Sequence, residues 1–227
     1  MYCRQIAPIY PVHLHDINTG KYILDGNGDK QFDPGSYKDE NNVIVTTRNQ
    51  YTDRHVIWEN DLNKDQTIRN TLESIAYADF YFLKDFTFTL KADLNLRNSD
   101  TSTYKSAVIG DGKGSIGRAS KSINSYKNYT FQQQLNWNHQ FGDHGVSALL
   151  AHENYYYNYD YTYNYKTNEV FAGKGNLTNF TSMTSMDGYQ NNYRTESYLG
   201  RVRYNYNDRY NVEASFRRDG SSRFAKP

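Results

Sequence analysis

The sequence predicts an all-β chain: an antiparallel up-and-down meander, a partial transmembrane β-barrel of about six strands from a larger barrel, with long extracellular loops. Three observations carry that prediction. The first is period-two alternation, clearest in "FTFTLKADLNLRN" at 86 to 98, where Phe86, Phe88, Leu90, Ala92, Leu94 and Leu96 are apolar and the residues between them polar. Such spacing gives an extended strand one oily and one wet face, whereas a helix would scatter the same oil around its circumference. The second is the rhythm of the connections, short at 83–85, 141–145 and 207–209 and long at 99–124 and 166–194. Outer-membrane barrels have tight turns at one end and long loops at the other. The third is composition, with a mean hydropathy of −0.92 beside 23 Tyr, 11 Phe and 2 Trp. Tyrosine favours strands and interfaces, so this composition fits a polar-lumened barrel or a secreted, Tyr-rich, glycan-binding β-sandwich.

The elements follow in order. Residues 1–66 are rich in turn chemistry ("NTGK", "DGNGDK", "DPGS") and read as a loop-rich, extracellular excursion with one short apolar run at Val43–Val45; the barrel segment is 67–227. Alternation begins at 68–82, with Leu72, Ser74, Ala76, Ala78 and Phe80 on one face. "NYTFQQQLNWNHQF" places Tyr129, Phe131, Leu135 and Trp137 together, and "VSALLAHENYYYNYDYTYNY" has Tyr at every odd position from 155 to 165, with an ambiguous register through "LLAHE". The closing pair sets Tyr198, Val202, Tyr204 and Tyr206 beside Tyr210, Val212, Ala214 and Phe216. These alternating runs suit the roughly 9–11 residues of a membrane crossing better than the roughly 5–6 of a globular strand. Lys91, Asp93, Arg97, Arg201, Arg203, Glu213 and Arg217 project opposite the oil. They face a lumen and plug if the oil meets lipid, or bulk water if it meets a protein core.

Several classes are excluded. Lys plus Arg number 26 against 25 Asp plus Glu, with no long run of like charge, so nothing points to nucleic acid. No stretch approaches the ~18 apolar residues of a membrane helix. Cys3 is the single cysteine, which rules out a disulfide framework and a cysteine zinc site. The N-terminal "MYCRQIAPIYP" is not a signal peptide. Neither a hydrolase, zincin nor nucleotide-binding motif is present, and "DGKGSIG" at 111–117 neither follows a strand nor opens a helix. No enzyme and no cofactor is expected.

The last strands, "YLGRVRYNYNDRYNVEASFRRDGSSRF" at 198–224, resemble the hallmark hairpin of the SusC/RagA-type TonB-linked outer-membrane transporters of Bacteroidota. "IAPIYPVHLHD", "LDGNGDKQFDPG", "AYADFYFLKDFTFTLKADLN" and "HGVSALLAHENYYY" are similar to the same family in the same order. Ala151 stands where the family usually has Gly, and Asn211 where an apolar residue is commoner. The resemblance implies a 22-stranded barrel in the outer membrane, a plug in its lumen and a SusD-like surface lipoprotein. It also implies energy delivered through TonB and import of oligosaccharides or peptides. Six strands cannot close a barrel, for which about eight is the minimum. With no plug, no TonB-contacting segment and no terminal aromatic strand, the chain reads as an internal piece of such a transporter.

Candidate sites are few. Asp25, Asn27, Asp29 and Asp33 are spaced like oxygen ligands of a calcium loop, but Lys30 and Ser36 stand where that loop needs Gly and Glu, so an ordinary turn-rich loop is the alternative. His139, His144, His152 and Glu153 cluster around one turn and invite a metal site, although the family resemblance implies no metal there. Tyr157, Tyr159, Tyr161 and Tyr163 are the ligand candidates, since exposed rings at a barrel mouth stack on sugars. Their alternative is an aromatic girdle or a ladder of cross-strand pairs. "RRDGSSRF" is read as a rim turn held by Asp219 and Gly220.

Overall fold

The computed structural model describes residues 10–48 and 50–224. Cys3 and the start of "IAPIYPVHLHD" lie outside them. In chain order the elements are β1 (Ser36–Lys38), β2 (Ile44–Thr46), α1 (Val56–Leu62), β3 (Lys64–Phe82), β4 (Phe86–Lys105), β5 (Arg118–Phe141), β6 (His144–Glu169), β7 (Phe180–Tyr206) and β8 (Tyr210–Ser221). β1 and β2 form an antiparallel ribbon, and β3 to β8 form one six-stranded sheet in sequential order, an open meander.

The three tight turns fall where the alternation breaks, at 83–85, 142–143 and 207–209. They share one end of the sheet: the Asn138 amide donates to the Asp85 carbonyl at 3.0 Å and the Asn207 amide to the Asp143 carbonyl at 2.8 Å. The long connections are shorter than the sequence implied. β4 runs to Lys105 and β5 starts at Arg118, while β6 runs to Glu169 and β7 starts at Phe180, leaving only 106–117 and 170–179 outside the strands. Ser- and Thr-rich strands with two polar faces carry no alternation. Their pairing rests on backbone bonds and on cross-strand hydroxyl pairs such as Thr67–Thr101 at 2.9 Å and Thr167–Thr184 at 3.2 Å. "RRDGSSRF" is likewise not a turn at Asp219–Gly220. β8 continues through it, with Asp219 opposite Ser197 and Gly220 opposite Glu196.

The chain divides into two compact units. The first comprises Met1–Thr67, Thr101–Ser122 and Tyr163–Asp187. Its small core packs Tyr104, Ala119 and Phe180 with Leu177. Glu169 organises the loops around that core. Its carboxylate accepts from the Tyr104 hydroxyl at 2.6 Å and from the Ala107 amide at 3.2 Å, while its own amide donates to the Ile116 carbonyl at 2.7 Å. The glycines of "DGKGSIG" serve this fit. A Cβ on Gly112 would lie 2.3 Å from the Ser106 carbonyl oxygen, and Gly117 sits at φ +76° against Glu169. The seven residues of α1, about two turns, were not foreseen. They are capped by His55, whose ring accepts from the Trp58 amide. Arg54 bonds Asp111 and holds that carboxyl below the ordinary carboxylate range.

The second unit comprises Ile68–Asp100, Ile123–Thr162 and Gly188–Pro227. Leu149 is its only buried apolar side chain among the described residues, whereas Leu72, Phe80, Val202, Val212 and Phe216 are each more than half exposed. A sandwich would cover its oily face with a second sheet. Here no layer of this unit does so.

Candidate functional site

The second unit is a two-faced wall, and ring contacts fix the membership of each face. On one side Phe82 stacks on Phe86 at 5.4 Å, Phe80 meets Phe88 at 6.4 Å, and Phe86 meets Trp137 at 6.3 Å. Trp137 continues through His139 to Phe141, and His144 packs on Tyr204 and Tyr206. This aromatic belt lies at the turn end of the oily face. Tyr129 with Tyr156, and His152 with Tyr198, belong to the same face. Gln133, on the oily face of β5, also bonds His152, so the face passes through "LLAHE" with no slip of register.

The opposite face is polar. Thr89 donates to Asp79 and Asn95 to Glu73 at 2.6 Å, which aligns the odd residues of β3 and β4. Lys91, Asp93 and Arg97 share that parity. Arg203 grips Glu213 through two nitrogens at 2.9 and 2.7 Å, and Arg217 bonds Asp219 at 2.8 Å. Arg201 lies on the same strand face as Arg203. These pairs are exposed, so water screens them and they contribute little stability. What they do is keep charge on one side of the wall.

The tyrosine row stands on this polar face. Tyr155 and Tyr157 pack on Tyr193 at 5.8 and 5.0 Å, and Tyr159 and Tyr161 on Tyr189 at 5.6 and 5.3 Å. Tyr126 joins Tyr159 at 4.6 Å, and the Tyr159 hydroxyl donates to Asn124 at 2.7 Å. Two guanidinium groups cap the cluster, Arg97 over the Tyr126 ring at 4.2 Å and Arg223 over Tyr193 at 4.0 Å. Tyr163 extends the row by parity but belongs to the first unit. Tyr189, Tyr193, Tyr126 and Arg223 escaped the sequence reading. Tyr189 and Tyr193 fall in a segment read as loop, and only an antiparallel register carried past the alternating zone would have found them.

The remaining candidates do not converge. Asp25 Oδ1 accepts from the Asn27 and Asp29 amides at 2.9 Å, whereas buried Asp33 turns to the Gly35 amide at 2.6 Å and the Thr47 hydroxyl at 2.6 Å. The calcium-like spacing is thus used by the chain to fold its own turns. His139 pairs with Asp85 at 2.8 Å, His144 with the Tyr204 hydroxyl, and His152 with Gln133 and Glu196. Among the described residues, no three acidic, histidine or cysteine side chains gather as a metal site.

No protein-family model matches the chain. It is similar to TonB-dependent receptor P3 of Formosa agariphila, with 28% identity over 172 residues, which is 71% of this chain and 16% of that receptor. The chain thus spans about a sixth of that relative's length. Its fold matches a stretch of the RagAB peptide transporter at a TM-score of 0.70 and 18% identity, covering 88% of this chain and 22% of that one. It also matches the RagAB peptide importer in its open-open state, at 0.62 and 16%, and in its closed-closed state, at 0.59 and 17%. The chain is thus similar in sequence to a stretch of a TonB-dependent receptor and in fold to a stretch of the RagAB peptide transporter.

Proposed function

We propose that the chain is a wall segment of a TonB-dependent importer in the outer membrane of a Gram-negative bacterium. In this reading residues 1–66 form an extracellular, loop-rich segment and residues 67–227 belong to the barrel. The even residues of β4, from Phe86 to Leu96, meet lipid. Lys91, Asp93, Arg97, Arg201, Arg203, Glu213 and Arg217 face the lumen and its plug. A SusD-like lipoprotein closes the barrel from outside, and TonB acts through the plug-bearing part of the transporter.

The observation that carries the proposal is the oily face itself. Its apolar side chains are exposed on β3, β7 and β8 and half-buried on β4, it is belted with Trp137, Phe141, Tyr204 and Tyr206 near the turns, and it is backed by a charged face. An apolar band between aromatic belts is what a bilayer selects on a barrel exterior. The cargo is an oligosaccharide or a peptide, and the tyrosine row at 155–161 with Arg97 and Arg223 is its contact. Phenol rings stack on sugar faces and on peptide side chains alike.

A cysteine scan of 86–97 in whole cells tests the reading. Lipid-soluble reagents label the even positions and water-soluble reagents the odd ones. Water-soluble labelling at Leu90 and Leu94 would refute the lipid face and the importer with it.

A further inference from the structure

The oily face is not uniform, and a recess in it has a polar edge. Gly200 leaves a groove of about 430 Å³ among Phe88, Leu135, Leu150 and Phe216, with walls almost wholly apolar. A Cβ at Gly200 would approach Leu150 at 3.7 Å, an ordinary contact, so the backbone there admits a side chain directed into the groove.

The edge is drawn by position. Counted from its tight turn, Gln133 is the ninth residue of β5, His152 the ninth of β6, Tyr198 the ninth of β7 and Arg218 the ninth of β8. A crossing takes roughly 9–11 residues, so this row lies near the outer edge of the apolar band, which runs on to Leu96 in β4 and Phe131 in β5. The groups are knitted together. His152 bonds Gln133 at 2.6 Å and Glu196 at 3.0 Å, Tyr198 donates to Glu196 at 2.7 Å, and His152 stacks on Tyr198 at 4.6 Å. The Glu196 charge is therefore engaged. Arg218 lies directly across from Tyr198 in the ladder and makes no ion pair among the described residues.

We propose that groove and row together seat one anionic glycerophospholipid, its acyl chain over Gly200 and its phosphate on Arg218. An acyl chain suits a dry recess, because a flush sheet offers it less contact. A guanidinium suits a phosphate, which it binds through paired donors. His152 and Tyr198 supply the hydrogen-bonding surface for the ester region between them. The proposal rests on the barrel-wall reading but is separable from it.

The test uses the intact transporter that carries this chain, purified in non-ionic detergent. It is titrated with dioleoylphosphatidylglycerol and, separately, with dioleoylphosphatidylcholine, which has the same chains and no net charge. Native mass spectrometry counts retained lipids. The expected result is one retained phosphatidylglycerol per chain and weak retention of phosphatidylcholine. Arg218→Gln should lower retention about tenfold, and Gly200→Leu should abolish the specific adduct. Ala214→Leu, on the same face outside the groove, should leave it unchanged. Arg218 is exposed, so its substitution tests the seat even if Gly200→Leu assembles poorly. Equal retention of both lipids, or retention untouched by Arg218→Gln, overturns the proposal. So does a Gly200→Cys variant that crosslinks to a second copy, because the face would then be a protein interface. If the cysteine scan succeeds while retention is indifferent to these changes, only the lipid seat fails. If the scan fails, the barrel reading fails first.

Discussion

Strand β4 is one uninterrupted strand with two vocabularies. From Phe86 to Arg97 it alternates strictly, and from Asn98 to Lys105 ("NSDTSTYK") it has no oily face at all. The backbone does the same thing in both halves, so the difference reports the surroundings and not the conformation. Where one side meets hydrocarbon, each inward or outward position is constrained. Where both sides meet water or polar neighbours, the ladder is held by backbone bonds, hydroxyl pairs and a few buried contacts such as Tyr104 on Phe180. Alternation is thus a signature of a lipid or core face, and its loss marks where that face ends.

The strongest way to break the comparison is to charge the alternating half. Leu90 is the fifth residue from its turn, near the middle of a crossing. A basic residue on the lipid face at mid-membrane costs roughly 2–4 kcal/mol, while a lumenal substitution costs little. Leu90→Arg in the full transporter should sharply reduce the heat-modifiable, folded band on gels. Lys91→Leu should leave that band intact and act, if anywhere, on transport. Equal damage from both would mean that the two faces are not chemically distinct.

In the distal half the vulnerable point is a network and not a face. Glu169→Ala leaves the buried Tyr104 hydroxyl and the Ala107 amide without their shared acceptor, at a cost of about 1–3 kcal/mol. The expected outcome is faster protease cleavage within 106–117 and 170–179 on intact cells, with membrane assembly unchanged. Glu169→Gln keeps an acceptor oxygen and should fall between. A change in assembly without new cleavage would show that this network serves the wall after all.

How much was legible follows from the same contrast. The six strands, their order, the turns and the apolar and polar faces of the alternating zone were readable, because a strand with one oily face writes apolarity at every second residue. The distal strands were not, since "NSDTSTY" and "TSMTSMDGYQNN" carry a strand's backbone with a loop's composition. α1 was missed because a seven-residue helix with no buried residue has no apolar stripe to announce it. The tyrosine cluster was half visible: the row on β6 alternates, but its partners Tyr189 and Tyr193 come from the unreadable zone. The Arg218 row was invisible one residue at a time and emerges only when strands are aligned at their turns.

A pH titration probes the distal half more gently. His55 is buried, its Nε2 donates to the Val12 carbonyl at 3.0 Å, and its Nδ1 accepts from the Trp58 amide at 3.1 Å. Burial pushes its pKa below the ordinary imidazole value, against the opposing pull of the Val12 carbonyl and Asp33, while Arg48 and His13 add to the depression. A second proton would point Nδ1–H at the Trp58 N–H and break the cap. Because the folded pKa lies below the unfolded value near 6.5, this stability is complete above about pH 6.5 and is lost as pH falls through the folded pKa. Amide protection in α1, corrected for the intrinsic exchange rate at each pH, should therefore fall between pH 7 and 5. His55→Asn keeps a capping side chain and should flatten that dependence, with the helix weakened at every pH. An unchanged slope in the variant would assign the pH response elsewhere.

The smallest expected effect lies at the turns, where three hairpins meet one backbone requirement with different residues. The third turn places Asn207 and Asp208 at φ +49° and +52°, and the second uses Gly142 at φ +59°. The first asks the same of Leu83 and Lys84, at φ +48° and +60°. Asn, Asp and Gly tolerate the left-handed region; a branched Leu does not, and its Cβ meets the following carbonyl at a cost of roughly 1–2 kcal/mol. Nothing offsets that cost locally, since Leu83 is 77% exposed and loses no burial if replaced. Leu83→Asn should therefore stabilise the first hairpin by about 0.5–1 kcal/mol, read as a raised midpoint for thermal loss of the folded band. Asn207→Leu should lower the midpoint by a similar amount. If Leu83→Asn lowers it instead, Leu83 is held by a contact outside this chain, and its exposed side chain belongs to an interface and not to a free turn.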